Sequence, residues 1–148
     1  MQLNRFFTLE EFTRSATALR HGIDNRPTQD ILSNLRVTAM GGANIRELIE
    51  RPLIVMSGYR CQALNAHRDI RGSATSAHLS GFAMDCAAPG LAAMGLAQAI
   101  RDSRIAFDQL ILESGRNVVH VGFGPALRRQ VLTQTDAAGT PFAVGLVA

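Results

Sequence analysis

The stretch F107-D-Q-L-I-L-E-S-G-R-N-V-V-H-V-G-F123 contains two apolar segments separated by four residues that include Ser, Gly and Asn. Its apolar segments favour strands, and the residues between them are typical of turns. This pattern predicts an antiparallel hairpin in which Glu113 pairs with Val118. The same register places Ile111 opposite His120, so Glu113 and His120 project from one face of the sheet, a diagonal step apart.

Four more segments are predicted strands. The run L53-I-V-M-S57 is apolar and follows Pro52, which favours a buried strand, and G81-F-A-M-D-C86 has the same character. Towards the end of the chain, V131-L-T133 and P141-F-A-V-G-L-V147 predict edge strands.

Helices are predicted before these strands and between them. Thr8 and Glu11 form a capping-box pattern flanked by phenylalanines, which predicts a helix from Leu9 to about Leu19. A second helical pattern begins near Thr28, and Gly41-Gly42 predicts a break or kink in it. Residues 89–103 predict a helix that covers the sheet. The expected fold class is therefore α+β, with N-terminal helices packed on a small, mostly antiparallel sheet in a single domain, residues 1–148.

Charge and composition exclude several classes of function. The net charge is +3, and the arginines that carry all of the positive side-chain charge are scattered among acids rather than clustered. We therefore expect no nucleic-acid binding. No apolar run is long enough for a membrane span, and the N-terminus lacks the pattern of a secretory signal, so synthesis and retention in the cytoplasm are expected. Two cysteines do not indicate a disulfide scaffold.

Two histidines and two acids suggest a metal site. His78 and His120 lie in apolar segments near glycines, Asp85 lies on a predicted strand, and Glu113 lies beside His120. Two imidazoles and one carboxylate are a three-ligand zinc set with a position left for water, and the glutamate is a candidate general base. The alternative is that the histidines are hydrogen-bonded core residues. His21 and His67 lie in polar turns, where exposure or capping is the simpler explanation. A cysteine nucleophile paired with histidine is a further alternative, since Cys61 and Cys86 are nearby in sequence.

The segment S76-A-H-L-S-G-F-A-M-D85 resembles the SxHxxGxAxD signature of peptidase family M15, the zinc D-Ala-D-Ala carboxypeptidase and endolysin group. S57-G-Y-R60 is similar to the SGYR segment that precedes this signature, and residues 107–123 resemble the family's second zinc segment. The opening F6-F-T-L-E-E-F-T-R-S15 and G22-I-D-N-R-P27 are similar to short phage and prophage members. The resemblance covers nearly the whole chain, in order, and implies a hedgehog/D-Ala-D-Ala peptidase-like fold.

The resemblance implies a role for each matched residue. His78, Asp85 and His120 are the implied zinc ligands. Arg60 is expected to direct its guanidinium at the substrate carboxylate or the developing oxyanion, because its donors form a fixed fork. Ser76 is expected to lie near the substrate or the first ligand, or to act as a local cap.

The resemblance leaves two candidates for the general base. Other branches of the family place an acid or a histidine two or three residues before the last zinc ligand, where this chain has Asn117 and Val118. Glu113 is therefore the candidate base, with Asp108 as the alternative. Val118 also replaces the tryptophan usual in the family, which predicts a looser pocket wall and weaker substrate packing.

These observations predict a zinc metallopeptidase that hydrolyses peptidoglycan stem peptides, with Zn²⁺ as cofactor and a D-Ala-D-Ala carboxypeptidase-like activity. One alternative is a phage-type endopeptidase that cuts L-Ala-D-Glu or cross-bridge bonds. Another is a catalytically weak, zinc-stabilised module that binds the cell wall. We expect a monomer that reaches the wall after release from the cell, as a phage or prophage lysis protein does.

Overall fold

A computed structural model describes residues 1–135 and 142–148 of the chain. Its helices are α1 (Leu9–Thr13), α2 (Ala16–His21), α3 (Gln29–Ile49), α4 (Gln62–Ala66) and α5 (Ala93–Asp102). Its strands are β1 (Ile54–Ser57), β2 (Ala83–Ala87), β3 (Gln109–Glu113), β4 (Val118–Gly122), β5 (Gln130–Gln134) and β6 (Ala143–Val144). A short 3₁₀ turn, Ser114–Arg116, connects β3 to β4.

The strands form one sheet in the order β1-β2-β4-β3-β5-β6. Within the described ranges, every strand pair is antiparallel except β3 with β5. This arrangement confirms the predicted α+β class. In the hairpin Glu113 pairs with Val118 and Ile111 pairs with His120, as the sequence predicted.

The two faces of the central strands differ because successive side chains point to opposite sides of a sheet. One face packs against α3 and α5, and its side chains are almost completely buried: Met84, Cys86, Leu110, Leu112, Val119 and Val121. The intervening residues project from the other face, which forms the floor of an open cleft. The alternation therefore separates the core of the protein from the polar side chains of the candidate site.

The first predicted helix is divided in two, so its expected extent was wrong. Glu11 accepts hydrogen bonds from the Thr8 N–H and hydroxyl at 2.7 and 3.2 Å, which confirms the start of α1. Arg14 then adopts an extended conformation, and the Ser15 hydroxyl accepts a hydrogen bond from the backbone N–H of Ala18. The chain therefore ends α1 and starts α2 at the cap that Ser15 provides. Helix propensity averaged over residues 9–19 does not reveal such a cap.

The break expected at Gly41-Gly42 is also wrong, because α3 continues through both residues. A Cβ atom at Gly41 would lie 2.3 Å from the ring of Phe123, and one at Gly42 would lie 3.1 Å from the ring of Phe7. These glycines therefore allow close packing against aromatic rings within a continuous helix. Neither α3 nor any other helix in the described residues has the length and apolar character needed to cross a bilayer.

Two strand predictions need correction in their position, and a third is confirmed. β1 lies at one edge of the sheet and exposes Ile54, so it is not a buried strand. β5 is an interior strand rather than an edge, because it pairs with β3 on one side and with β6 on the other. β6 is the edge strand expected near the C-terminus, whereas Pro141 lies outside the described residues.

Gly58 allows the end of β1 to approach α1 closely. The Tyr59 N–H donates a hydrogen bond to the Phe12 carbonyl at 2.8 Å. A Cβ atom at Gly58 would lie 2.5 Å from that carbonyl oxygen and 2.8 Å from the Phe12 Cα. Because these atoms belong to the backbone, they cannot move aside as the end of a side chain can.

We expect Gly58→Ala to lower the free energy of unfolding by about 1–3 kcal/mol, the usual cost of overpacking a buried position. Gly115→Ala is the matched control, since a Cβ atom there would meet no atom closer than the Thr135 carbonyl oxygen at 3.5 Å. That variant should change the free energy by less than ~0.5 kcal/mol. Urea denaturation measures both values, and equal stability of the two variants would contradict the packing argument.

Candidate active site

Two members of the site come from paired positions on neighbouring strands. Asp85 on β2 lies directly opposite His120 on β4. Their chain neighbours Met84 and Val121 point into the core and are fully buried. The core packing of these neighbours therefore fixes Asp85 and His120 on the opposite face, side by side.

His78 reaches the same place from the segment that precedes β2. Gly81 has a φ of 77°, a left-handed conformation that turns the chain back towards the sheet. His78 Nδ1–H donates a hydrogen bond to the Gly58 carbonyl at 2.6 Å, which orients the ring. Its Nε2 then lies 3.1 Å from Asp85 Oδ1.

The structure thus brings together the three residues that the sequence indicated as ligands. His120 Nδ1 lies 2.9 Å from the same Asp85 oxygen, and the centroids of the two imidazole rings are 5.1 Å apart. All three side chains are buried, and one ligand atom from each lies within 4.8 Å of the others. A single ion can therefore contact all three.

The charges of this group are suited to a cation. Burial lowers the pKa of His78, although Asp85 opposes this shift. Burial alone would raise the pKa of Asp85, but His78 and His120 outweigh it and hold that pKa well below its usual range. Since the Nδ1 proton of His78 is directed at a carbonyl, its neutral Nε2 presents a lone pair to a carboxylate oxygen. A metal ion between the nitrogen and the oxygen would accept an electron pair from each of them. Two imidazole nitrogens with one carboxylate are ligands that zinc prefers.

Arg60 and Ser76 lie beside this group. The Arg60 backbone N–H donates to the His78 carbonyl at 3.1 Å, and its Nη2 donates to Ser76 Oγ at 3.4 Å. Ser76 Oγ also accepts the His78 N–H at 3.3 Å, so Ser76 acts as a local brace. Arg60 Nε is buried and has no hydrogen-bond partner among the described residues. Burial lowers the pKa of Arg60, with Asp85 and Glu113 opposing the shift.

The two candidate bases have different environments. Glu113 is largely buried and has one ion-pair contact, with Arg116 at 2.7 Å. Burial, followed by the charge of Asp85, raises the pKa of Glu113. Asp108 instead accepts two hydrogen bonds from the Arg128 guanidinium at 2.8 Å each, which lower the pKa of Asp108. Glu113 is therefore the more basic of the two carboxylates.

The cysteines do not contribute to the cleft. Cys61 and Cys86 are free thiols, and neither lines the cleft. Cys86 is fully buried, and burial raises the pKa of its thiol, with Asp85 adding to the effect. The described residues therefore do not support a cysteine nucleophile.

Two departures from the family pattern, Asn117 and Val118, lie at the β3–β4 turn. Asn117 has a φ of 51°, and its side-chain oxygen accepts a hydrogen bond from the Ala93 N–H at 2.9 Å at the start of α5. Asn117 thus has a structural task. Val118 is buried and does not line the cleft. The looser pocket wall expected from its replacement of tryptophan stays a prediction.

The cleft has a volume of about 1120 Å³. Its floor is the polar face of the sheet, and the loop that precedes His78 lines part of its edge, including Arg71, Ser73 and Thr75. Gln109 also lines the cleft but donates its side-chain hydrogen bond to Gln130 at 2.8 Å, not to a candidate metal ligand. The site is therefore open to solvent above while its three central side chains are buried below.

Fold and site together define a class of protein. An α+β fold that presents a buried His–Asp–His group at the floor of an open cleft is suited to metal-dependent hydrolysis. The model of the Peptidase M15 family matches residues 5–122, which include the whole group. The chain belongs to the peptidase M15 family, whose members are typically metallopeptidases. No individual curated protein matches the chain.

We expect Asp85→Asn to weaken the tightest zinc binding by at least ~100-fold, because it removes the one anionic ligand atom that both histidines face. Asp108→Asn is the matched control, because this carboxylate lies in the same cleft and is paired with Arg128; it should bind zinc as the wild type does. Competition with a chromogenic chelator at one equivalent of zinc measures the affinities.

Zinc should also stabilise the wild type, by about 2.7 kcal/mol at a free concentration of ~100 times its Kd. Unaltered zinc affinity in the Asp85→Asn variant would show that this group is not the metal site.

Proposed function

We propose that the protein is a zinc metallopeptidase that hydrolyses peptidoglycan stem peptides, with D-Ala-D-Ala carboxypeptidase-like specificity. One observation carries the proposal: His78, Asp85 and His120 converge in a buried group at the floor of a cleft, and Arg60 and Glu113 lie around it. The family assignment supports a peptidase, and the ligand set supports zinc.

Metal binding, acid–base chemistry and substrate positioning are assigned to different residues of the cleft. His78, Asp85 and His120 would hold Zn²⁺, which supplies Lewis acidity that lowers the pKa of water and polarises a carbonyl. The Gly58 carbonyl keeps His78 in position by accepting its Nδ1 proton. This leaves acid–base chemistry and substrate positioning to the other side chains of the cleft.

Glu113 is our candidate for the general base. Its raised pKa makes it a stronger proton acceptor than Asp108, whose pKa is lowered by Arg128. Its place on β3, two residues from the partner of His120, directs it to the face of the sheet that carries the metal group. The ion pair with Arg116 holds the carboxylate at the cleft.

Arg60 is our candidate for the group that binds the substrate's anionic end. Among the described residues, its half-buried guanidinium has an Nε without a hydrogen-bond partner and a single long side-chain hydrogen bond, to Ser76. A carboxylate is the group that best satisfies such a fork of donors. Ser76 would position both Arg60 and the backbone of His78. A free C-terminal carboxylate next to the scissile bond is the feature that favours carboxypeptidase activity.

The size of the cleft supports endopeptidase activity as the second candidate. A volume of about 1120 Å³ exceeds what a terminal dipeptide requires, because pockets of ~300–1,000 Å³ hold drug-sized ligands. Such a cleft can accept residues on both sides of an internal bond, as a phage-type endopeptidase would require. A cell-wall-binding module without hydrolysis is the remaining alternative, and it predicts zinc binding with no product.

The proposal extends to the domain organisation, the oligomeric state and the biological context. We propose that residues 1–148 form one catalytic domain, that it acts as a monomer, and that it has no nucleic-acid partner. Phage or prophage lysis is the proposed context, in which a protein synthesised in the cytoplasm reaches the wall after release. Sedimentation of the zinc-loaded protein tests the monomer.

Mass spectrometry of products from a defined stem pentapeptide tests the activity. Loss of one terminal alanine, abolished when the C-terminus is amidated, would support the carboxypeptidase. Cleavage at an internal bond, insensitive to amidation, would identify an endopeptidase. Absence of any product from zinc-loaded protein would overturn the peptidase proposal and favour the binding module.

We expect Glu113→Gln to lower kcat by ~10²–10⁴-fold, the usual contribution of a general base, while zinc affinity is retained. Asp108→Asn removes the other candidate and should retain kcat within about tenfold, since its carboxylate is already engaged by Arg128. Initial rates on the same peptide measure both variants. The reverse order of the two effects would make Asp108 the base.

We expect Arg60→Lys to lower kcat/KM by ~10–100-fold, since lysine keeps the charge but loses the fork that binds a carboxylate with two hydrogen bonds. The control is Arg71→Lys, a surface position on the edge of the cleft, which should retain kcat/KM within about threefold. If both variants match the wild type on a substrate with a free carboxylate, Arg60 does not bind that group.

A further inference from the structure

A second group of metal-ligating side chains lies outside the cleft. His21 is the last residue of α2, His67 follows α4, and Asp69 lies in the turn after it. One ligand atom from each lies within 4.8 Å of the others. The sequence predicts exposure or capping for His21 and His67, because these two residues are far apart along the chain.

The distances in this group match a metal site. Asp69 Oδ2 lies 3.3 Å from His21 Nε2 and 3.7 Å from His67 Nδ1. Ligand atoms ~2.1 Å from a tetrahedral zinc ion are ~3.4 Å from one another, so little movement is needed. The imidazole rings are already adjacent, with centroids 4.3 Å apart. Two imidazoles and one carboxylate suit a late first-row divalent cation, with water completing the coordination.

Neighbouring groups predict that this binding is weaker than in the cleft. Arg20 and Arg68 lie 3.7 and 4.0 Å from the Asp69 carboxylate and compete with a cation for it. The Asp69 N–H also donates a hydrogen bond to His67 Nδ1 at 3.2 Å, which ligation through that nitrogen would displace. The side chains are 20–36% exposed, so water also competes. Within the described residues, the ion-pair contacts of Asp85 in the cleft are with His78 and His120, and these three side chains are less than a tenth exposed.

We propose that His21, His67 and Asp69 form a second divalent-cation site that ties α2 to the loop lining the cleft. This wall loop comprises residues 67–76. Its later part is already anchored, because Asn65 Nδ2 donates to the Ser73 carbonyl at 2.9 Å and the Gly72 N–H donates to the Asn65 carbonyl at 2.8 Å. A cation held by His67 and Asp69 anchors its beginning to a different helix.

A cation at the surface site would restrain the edge of the cleft. Arg71, Ser73 and Thr75 of the wall loop line the cleft, so a cation at the surface site restrains the wall against which a ligand would lie. The inference does not depend on zinc in the cleft or on peptidase activity. It requires only that the surface site binds a cation and that the wall loop becomes less mobile as a result.

Elemental analysis after dialysis against buffered zinc tests the stoichiometry. The wild type should bind two zinc ions per chain at saturation, and His21→Ala should bind one, with the tight ion retained. Asp85→Asn should lose the tight ion and keep the weaker one, which separates the two sites. Equal zinc content of the wild type and His21→Ala at saturation would overturn the proposal, whether or not the cleft also holds an ion.

Arg20→Ala is a control with the opposite expected sign. It lies beside His21 on α2 and removes a guanidinium that competes for Asp69, so the weaker zinc ion should bind several-fold more tightly. A loss of zinc in Arg20→Ala, matching His21→Ala, would show that disturbing this end of α2, rather than removing a ligand, abolishes binding.

Limited trypsin digestion tests the restraint on the wall loop. Arg68 is 83% exposed, and cleavage after Arg68 and Arg71 reports opening of the loop. Between one and two equivalents of zinc, cleavage at these bonds should slow at least threefold in the wild type and remain constant in His21→Ala. Equal cleavage rates in the wild type without zinc and with two equivalents, or the same slowing in His21→Ala, would overturn the tethering role.

Discussion

The site depends on one carboxylate oxygen. Asp85 Oδ1 faces His78 Nε2 at 3.1 Å and His120 Nδ1 at 2.9 Å, and all three side chains are buried. Burying a charged carboxylate costs free energy unless cationic or hydrogen-bonding partners compensate it. Here two imidazoles on separate segments face the carboxylate, and a metal ion held by all three groups would compensate its charge.

The rest of the fold serves to keep these groups in place. The apolar neighbours of Asp85 and His120 are packed under α3 and α5, so a shift of one residue in register would expose them to solvent. The Gly58 carbonyl orients His78, and Gly58 itself has no room for a side chain against α1. A group of side chains held by core packing requires little reorganisation when a ligand binds.

Local sequence patterns predicted the elements near the site better than those far from it. The β3–β4 register followed from alternation and turn residues, and it was confirmed at Ile111 and His120. The continuity of α3 through Gly41-Gly42 could not be predicted, because the reason is the position of the Phe7 and Phe123 rings. Helix propensity describes a residue in an isolated helix, whereas these glycines are selected by contact with distant segments.

The sequence by itself determined the α+β class, the hairpin register and the types of side chain available for the site, because these depend on periodicity and residue chemistry within short segments. Only the tertiary structure decided that one oxygen of Asp85 faces two histidines. It also decided that an ion pair with Arg128 lowers the pKa of Asp108, whereas burial raises the pKa of Glu113. It alone placed His21 beside Asp69. Such relations depend on distances between residues remote in the chain, which a linear pattern does not contain.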